Sequence, residues 1–150
     1  MKTDSQQKTI TVNRKARHEY EILQTIEVGI VLMGTEVKSL RQGKINLVDS
    51  FAQIKNGEVW LVSAHISEYT QGNINNHEPT RNRKLLLNKS EIRKLTAKVN
   101  EKGLTLIPLR FYFSSGKVKV ELAVAKGKKV FDKREDIKKR DLKRDQERNF

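Results

Sequence analysis

The stretch GTEVKSLR, residues 34–41, combines side chains that could contact an anionic ligand. Lys38 and Arg41 lie three positions apart, so a helix would place them on one exposed face, where both could contact phosphates. The same helical spacing places Glu36 apart from Val37 and Leu40, whose side chains should pack. The simpler interpretation is a solvated helix with an ordinary ion pair, since charged residues are common on protein surfaces. The spacing alone leaves both interpretations open.

Another set of polar residues could in principle form a hydrolytic or metal site, namely His18, Glu21, Asp49, His65, Glu68 and His77. Their spacing matches no HExxH motif, nucleophile elbow, glycine-rich phosphate loop or zinc motif. Cysteine is absent, which excludes disulfides and thiolate metal sites. We expect no catalytic residue, no metal and no cofactor.

The charge of the chain predicts an anionic partner. Its 31 Lys and Arg exceed its 18 Asp and Glu, for a net charge of +13, which is typical of proteins that neutralise phosphates. A membrane surface would also attract such a chain, but no run approaches the roughly 18 apolar residues of a membrane span. The start, MKTDSQQKT, lacks the apolar stretch of a secretion signal. We therefore expect a cytoplasmic protein.

The chain divides into a body, residues 1–125, and a basic tail, residues 126–150. The tail carries eleven Lys or Arg and six Asp or Glu but few large apolar side chains. It cannot bury enough apolar surface to offset the entropy of ordering, so we expect it to be disordered when free and helical when bound. Within the body, the first roughly eight residues are expected to be flexible.

Strand signals dominate the body. Residues 20–32 form a β-rich run in which Gly29 predicts a bulge or a close approach. Residues 48–54 and 58–66 flank Asn56-Gly57, which favours a tight hairpin. Residues 104–113 and 117–125 predict a second hairpin, whose last strand alternates between valine or leucine and charged side chains.

Two helices interrupt these strands. The first covers residues 35–42, with Thr35 as a possible cap and Gly43 as its stop. The second begins at a capping box from Asn88 and ends at Gly103. A long polar loop, residues 68–84, precedes it. The pattern predicts a mainly β fold, an OB-like antiparallel Greek-key barrel with two or three short helices.

Five spaced stretches carry a resemblance to a known family: GIVLMGTEVKSLRQGKINLVDSFAQI, EVWLVSAHISEY, NHEPTRNRKLLLNKSEI, GLTLIPLRFYF and AKGKKVFDKRED. Together they resemble SmpB, the SsrA-binding protein family of bacterial trans-translation. The resemblance implies a barrel that binds the tRNA-like domain of transfer-messenger RNA (tmRNA). It implies a tail that enters the empty mRNA channel of a stalled ribosome, so that the nascent peptide is tagged. Indirect partners would be the elongation factor and alanyl-tRNA synthetase acting on tmRNA; no DNA or membrane is implied.

The resemblance also implies roles for individual residues. Glu36 would belong to the RNA-binding surface, where a carboxylate must orient an arginine or accept from a base edge. Leu86 and Lys119 match family positions for RNA capture, although general burial statistics place Leu86 in the core. Lys119 faces away from the valine stripe of its strand, so a phosphate contact fits its position, and an ordinary surface lysine fits equally well. The expected RNA-binding set is Glu36, Lys38, Arg41, Leu86 and Lys119, extended by Arg14, Lys15, Arg81, Arg83 and Lys84.

The tail provides the expected ribosome-binding set: Lys126, Lys128, Lys129, Phe131, Asp132, Lys133, Arg134, Arg140, Arg144 and Arg148. In a helix, four of its cations, Lys133, Arg140, Arg144 and Arg148, would form one stripe around Ile137 that could follow a phosphate groove. Without the resemblance, an ordinary solvated charged face would explain the run as well. The family often has histidine or tyrosine at the position of Phe131. Phenylalanine can stack on a base but cannot form a hydrogen bond, so stacking would be its whole contribution.

A second binding class stays open, a general OB-fold ribosomal or single-strand RNA-binding protein. Such proteins hold bases on aromatic side chains. Aromatic residues make up 6% of this chain, and Phe111, Tyr112 and Phe113 alternate along a strand, so at least one side of it is core. The shortage favours recognition of RNA shape and backbone over reading of the base sequence.

Overall fold

The computed structural model describes residues 7–70 and 76–128. The strands are β1 (Gln7–Val12), β2 (Tyr20–Ile30), β3 (Ile45–Asn46), β4 (Phe51–Lys55), β5 (Glu58–Val62), β6 (His65–Ile66), β7 (Arg83–Leu86), β8 (Thr105–Ser114) and β9 (Lys117–Gly127). The helices are α1 (Arg14–Glu19), α2 (Gly34–Arg41) and α3 (Lys89–Lys102).

Six antiparallel strands close into a barrel. The hydrogen-bonded order runs β8-β4-β5-β7-β2-β9, and the pairing of β9 with β8 closes the circuit. β1 extends the sheet along the edge of β8 that also meets β4. The predicted mainly β, OB-like antiparallel barrel with short helices is confirmed.

Tight turns form both predicted hairpins. Asn56 and Gly57 have φ values of 53° and 74°, as the predicted Asn-Gly turn requires. Ser115 and Gly116 form the second turn with φ values of 51° and 80°. The first hairpin is shorter than predicted, since β5 ends at Val62 and the chain then turns into β6, which pairs with β3.

Helices α2 and α3 occupy the predicted stretches, but the start of α2 differs. Its first turn is capped through Glu36, whose carboxylate accepts a hydrogen bond of 2.8 Å from the Met33 amide. Thr35 is not the cap, because its hydroxyl pairs with His77 instead. The predicted cap of α3 is confirmed: Asn88 Oδ1 accepts from the Glu91 amide at 2.8 Å.

The sequence interpretation missed β1 and α1. Gln7 and Lys8 pair with β8, so the expectation of a flexible start is wrong for these two residues; residues 1–6 lie outside the described part. Asn13 connects the two elements. Its Oδ1 accepts from the Ala16 amide at 3.2 Å, and its Nδ2 donates to Pro108 O at 3.0 Å and Leu47 O at 3.4 Å.

The core has two compartments. The larger fills the barrel with side chains such as Val59, Leu61, Phe111 and Leu122, and Leu40 of α2 joins it. The smaller lies outside the barrel wall under α1, around Ala16, Ile107, Leu109, Ala123 and Ala125. The end of β9 is therefore buried on both faces.

In the described ranges, no helix is long and apolar enough to cross a membrane.

Strands β9 and β2 each differ from expectation in one respect. β9 continues to Gly127, where Lys126 and Gly127 pair with β2, so the first two residues of the predicted tail belong to the barrel. The register shift of β2 lies between Ile22 and Gln24 rather than at Gly29. Gly29 instead marks a close approach: a Cβ placed there would lie 3.2 Å from Leu86 Cβ.

Candidate nucleic-acid interface

A buried carboxylate organises two arginines where α2 meets the segment before β7. The Glu36 side chain is 0% exposed. Arg81 Nη2 donates to Glu36 Oε1 at 2.6 Å, and Arg81 Nε donates to Oε2 at 3.2 Å. Arg83 Nε donates to the same Oε2. Together with the Met33 amide, these donors surround the carboxylate completely enough to hold it charged inside the protein.

Arg83 anchors the far side of this cluster. It is as buried as Glu36, and its guanidinium also donates to Ala64 O at 2.8 Å and Pro79 O at 2.9 Å. The expectation that Arg83 extends the basic surface is therefore wrong. Its side chain belongs to β7 and points inward, so it fixes the loop instead of meeting a ligand.

The electrostatic balance favours charged Glu36. Burial by itself raises the pKa of the Glu36 carboxyl, but the hydrogen bonds from Arg81, the Met33 amide and Arg83 outweigh it and hold the pKa below its ordinary value. Burial also lowers the pKa of Arg83, and Glu36 opposes that shift. Each partner thus stabilises the charge of the other.

Arg81 connects this buried cluster with the surface. Its side chain remains 27% exposed, and Nη2 also donates to Val31 O at 3.3 Å. Because Glu36 is wholly buried, it lies below the surface where the resemblance implied it, and it cannot reach a base edge. Of the two expected roles, orienting an arginine is the one that this geometry allows.

The exposed face of α2 carries the predicted cation pair. Lys38 and Arg41 are both exposed, as the helical spacing predicted. The ammonium of Lys38 lies 5.5 Å from the centre of the Tyr69 ring, within range of a cation–π contact. Lys38 therefore packs on Tyr69 from the helix that also carries Glu36.

A row of side chains crosses the outside of the barrel, in register over four strands. Leu86 of β7 lies opposite Gly29 of β2, which lies opposite Lys119 of β9, which lies opposite Tyr112 of β8. Leu86 is 51% exposed, whereas Leu85 is 1% exposed. The expectation that Leu86 is core is wrong, because the alternation of β7 turns Leu85 inward and Leu86 outward.

The sequence interpretation missed a polar network beside this row. The Tyr112 hydroxyl donates to Glu27, and the Arg110 guanidinium lies 4.1 Å from the Tyr112 ring centre. Arg110 Nε also donates to Glu121 Oε2 at 3.3 Å. Burial and the bond to Glu27 raise the pKa of Tyr112. The alternation of Arg110 and Tyr112 along β8 was the available signal for this outer face.

The other predicted cations are spread around the barrel. Arg14 and Lys15 are exposed on α1, and Lys15 Nζ lies 3.3 Å from Asp49 Oδ1. Lys84 Nζ lies 3.6 Å from Glu58 Oε2. Lys126 is exposed at the end of β9, and Lys128 follows it. The remaining tail residues of the predicted ribosome-binding set, from Lys129 to Arg148, lie outside the described residues.

The residues considered for an enzyme are dispersed. His77 is 2% exposed, with Nδ1 2.9 Å from Thr35 Oγ1 and Nε2 2.8 Å from Ile66 O. It joins α2 to β6. His18 and His65 are exposed elsewhere. Across residues 7–70 and 76–128, no three His, Asp or Glu side chains are grouped so that they could hold a metal ion.

Comparison with known proteins gives one consistent answer. A family model described as SmpB protein matches residues 10–150. The SsrA-binding protein of Desulforudis audaxviator is 65% identical over 139 residues, which cover 93% of this chain and 91% of that protein. The SsrA-binding protein of Saccharopolyspora erythraea is 60% identical over 148 residues, covering 99% and 94%.

A solved structure agrees with the sequence matches. It is described as "tmRNA-SmpB: a journey to the center of the bacterial ribosome". This chain superposes on it with a TM-score of 0.67 and 53% identity, covering 80% of this chain and 85% of that one. With nearly its whole length matched, the chain belongs to the SmpB protein family.

Proposed function

We propose that this protein is a non-enzymatic RNA-binding adaptor of trans-translation, which binds the tRNA-like domain of tmRNA. Membership of the SmpB family supports this, as do relatives named for SsrA binding and a solved neighbour described with tmRNA and the bacterial ribosome. The net charge of +13 fits a partner of this kind. The proposed place of action is the cytoplasm.

The observation that carries the proposal is the partly exposed guanidinium of Arg81, held by the buried Glu36. A free arginine loses much rotamer entropy when it binds a phosphate or a base. Arg81 is already fixed by its bonds to Glu36 and Val31 O. It is therefore preorganised, and binding to a folded RNA costs less.

Surface cations would supply most of the affinity. Lys38 and Arg41 are exposed on α2, and Lys119 lies in the outer row, where Gly29 separates it from exposed Leu86. Their partners would be phosphates, while Leu86 would pack on a sugar or base. Arg14, Lys15 and Lys84 would extend this field around the barrel.

The tail would provide the second binding event. The body would hold tmRNA, and residues after Gly127 would enter the empty mRNA channel near the decoding centre. The stripe of Lys133, Arg140, Arg144 and Arg148 would follow ribosomal phosphates, and Phe131 would stack on a base. The elongation factor and alanyl-tRNA synthetase would be indirect partners through tmRNA. The stalled ribosome would then be released and its nascent peptide tagged for degradation.

A competition assay tests the RNA preference. The full chain is bound to a labelled tRNA-like domain of tmRNA, and unlabelled competitors are added at several salt concentrations. We expect the folded tRNA-like RNA to compete far better than unstructured RNA of equal length. We also expect affinity to fall steeply with salt, because phosphate contacts release counterions. Equal competition by unstructured RNA would instead support a general single-strand binder, and a flat salt response would contradict a phosphate interface.

A further inference from the structure

We propose that the outer face of β4, β5 and β7 holds a pocket for one unpaired nucleotide of the bound RNA, with its base stacked on Trp60. This rests on the proposed function, because it names the part of the RNA partner that this face would hold. Trp60 is the only tryptophan of the chain. It lies between Val59 and Leu61, which are both 0% exposed, so its own side chain points outward, where it is half-buried.

The pocket is built on strand register. Trp60 lies directly opposite Gln53 of β4 and Lys84 of β7. A cavity of about 350 Å³ opens here, lined by Gln53, Lys55, Asn56, Glu58, Trp60 and Asn82. This volume is in the range of small-ligand sites. The indole offers a flat apolar surface, and the side chains around it are polar.

The polar lining suits the edge of a base. Within the described part of the chain, the amide side chains of Gln53, Asn56 and Asn82 form no hydrogen bond. Each offers a donor and an acceptor, the two kinds of group that a base edge presents. Stacking on an aromatic ring together with hydrogen bonds to the base edge is how proteins hold unpaired nucleotides.

The surrounding charges favour a nucleotide of RNA over an uncharged ring. Lys55 and Glu58 line the cavity, and Lys84, which lies beside Trp60, pairs with Glu58 at 3.6 Å. The two lysines exceed the one carboxylate, so a phosphate would meet a net positive charge. The pocket also adjoins the Glu36 cluster, since Arg81 Nη1 donates to Asn82 O at 3.3 Å. An RNA strand in contact with Arg81 could place its next unpaired base over Trp60.

The single tryptophan makes a direct test possible on the unmodified protein. The fluorescence of the full chain is recorded during titration with the tRNA-like domain of tmRNA, with a fully paired RNA duplex of equal length and with adenosine monophosphate. We expect the tRNA-like RNA to quench Trp60 strongly at saturation and the duplex to quench it weakly. An unchanged spectrum at saturating tRNA-like RNA would overturn the pocket. Saturable quenching by the monophosphate as strong as that by the RNA would show a site for free nucleotides and overturn the assignment to RNA.

Matched variants provide an independent readout. We expect Trp60→Leu to weaken binding of the tRNA-like RNA about tenfold and Trp60→Phe, which can still stack, to bind nearly as the parent does. Phe51→Leu is the control, because Phe51 is an exposed aromatic of β4 outside the pocket lining. Thermal unfolding shows whether each variant is folded.

The outcomes separate the two proposals. Parent-like RNA binding by folded Trp60→Leu would overturn the pocket and leave the proposed function in place. If Trp60→Leu does not fold, the quenching titration of the parent decides. If the parent itself fails to bind the tRNA-like RNA, the proposed function and the pocket are both overturned.

Discussion

Glu36 shows how a residue can matter to an interface without touching the ligand. Its carboxylate is buried under Arg81 and Arg83, and only Arg81 reaches the surface. A buried ion pair adds little stability compared with apolar packing, but the loss of one member leaves a buried charge without a partner. The cluster is therefore best understood as a device that positions Arg81.

Glu36→Gln tests this role. We expect the variant to lose about 3 kcal/mol of unfolding free energy, because Arg83 would keep its charge in a buried place without a counter-ion. RNA affinity should fall as well, since Arg81 is no longer held. Urea unfolding and RNA binding measure the two effects. Glu58→Gln is the matched control: its pair with Lys84 is about half exposed, so its removal should cost less than about 1 kcal/mol. If the two variants lost equal free energy of unfolding, burial would not explain the importance of Glu36.

Acid should weaken the same cluster. Because the folded-state pKa of Glu36 is lowered, its stabilisation is complete above the ordinary glutamate pKa of about 4.3 and is lost as pH falls through the lowered value. Urea unfolding between neutral pH and pH 3 should therefore show a smaller loss for Glu36→Gln than for the parent. If the free energy of unfolding fell equally with pH in the two proteins, protonation of Glu36 would not be the cause of the loss.

Gly29 is a second residue that acts through a neighbour. A methyl group there would press on Leu86, 3.2 Å from its Cβ. We expect Gly29→Ala to displace Leu86 and weaken RNA binding severalfold, while thermal unfolding changes little because the backbone of β2 accommodates alanine. Unchanged RNA affinity would show that the position of Leu86 does not affect RNA binding.

At the scale of residues, the sequence could predict which side chains of a helix are exposed. It could not predict burial that depends on residues distant in the sequence. Lys38 and Arg41 were placed correctly because one helix sets their spacing. The burial of Glu36 depends on partners 45 and 47 positions away, which no local pattern reveals. In the run Leu85–Leu87, composition could not tell which leucine faces outward. The strand register decides that.

At the scale of elements, local signals predicted what local forces determine. Asn88 and Gly103 fixed the ends of α3, and Asn56-Gly57 fixed a hairpin, because caps and turns involve neighbouring residues. α1 was missed because it has six residues and buries only Ala16, so it has no apolar stripe. β1 was missed because it is a short strand that exists by pairing with β8, about 100 positions away.

Asn13 should therefore matter more than an ordinary cap. Asn13→Ala removes the cap of α1 and both side-chain hydrogen bonds to Leu47 O and Pro108 O, so we expect a loss of about 2 to 3 kcal/mol. Asn88→Ala, at an exposed cap, should cost about 1 kcal/mol. Chemical denaturation of the two variants gives the comparison. A smaller loss for Asn13→Ala would show that α1 and β1 are held by other contacts.

At the scale of the whole molecule, the barrel and the tail divide the proposed work. The barrel is complete at Gly127, where the last pairs of β9 with β2 lie next to the end of α1. Its surface carries Arg81, Leu86 and Lys119. The predicted ribosome-binding residues lie almost entirely beyond that point. A chain that ends at Gly127 should thus fold and hold RNA but lack the part proposed to enter the mRNA channel.

The most direct measurement compares the full chain with one ending at Gly127 in two assays, affinity for the tRNA-like domain of tmRNA and peptide tagging on stalled ribosomes. We predict that the shortened chain keeps its RNA affinity largely intact and tags no peptide. If RNA binding and tagging are lost together, or if tagging survives without residues 128–150, the proposed division between barrel and tail is contradicted.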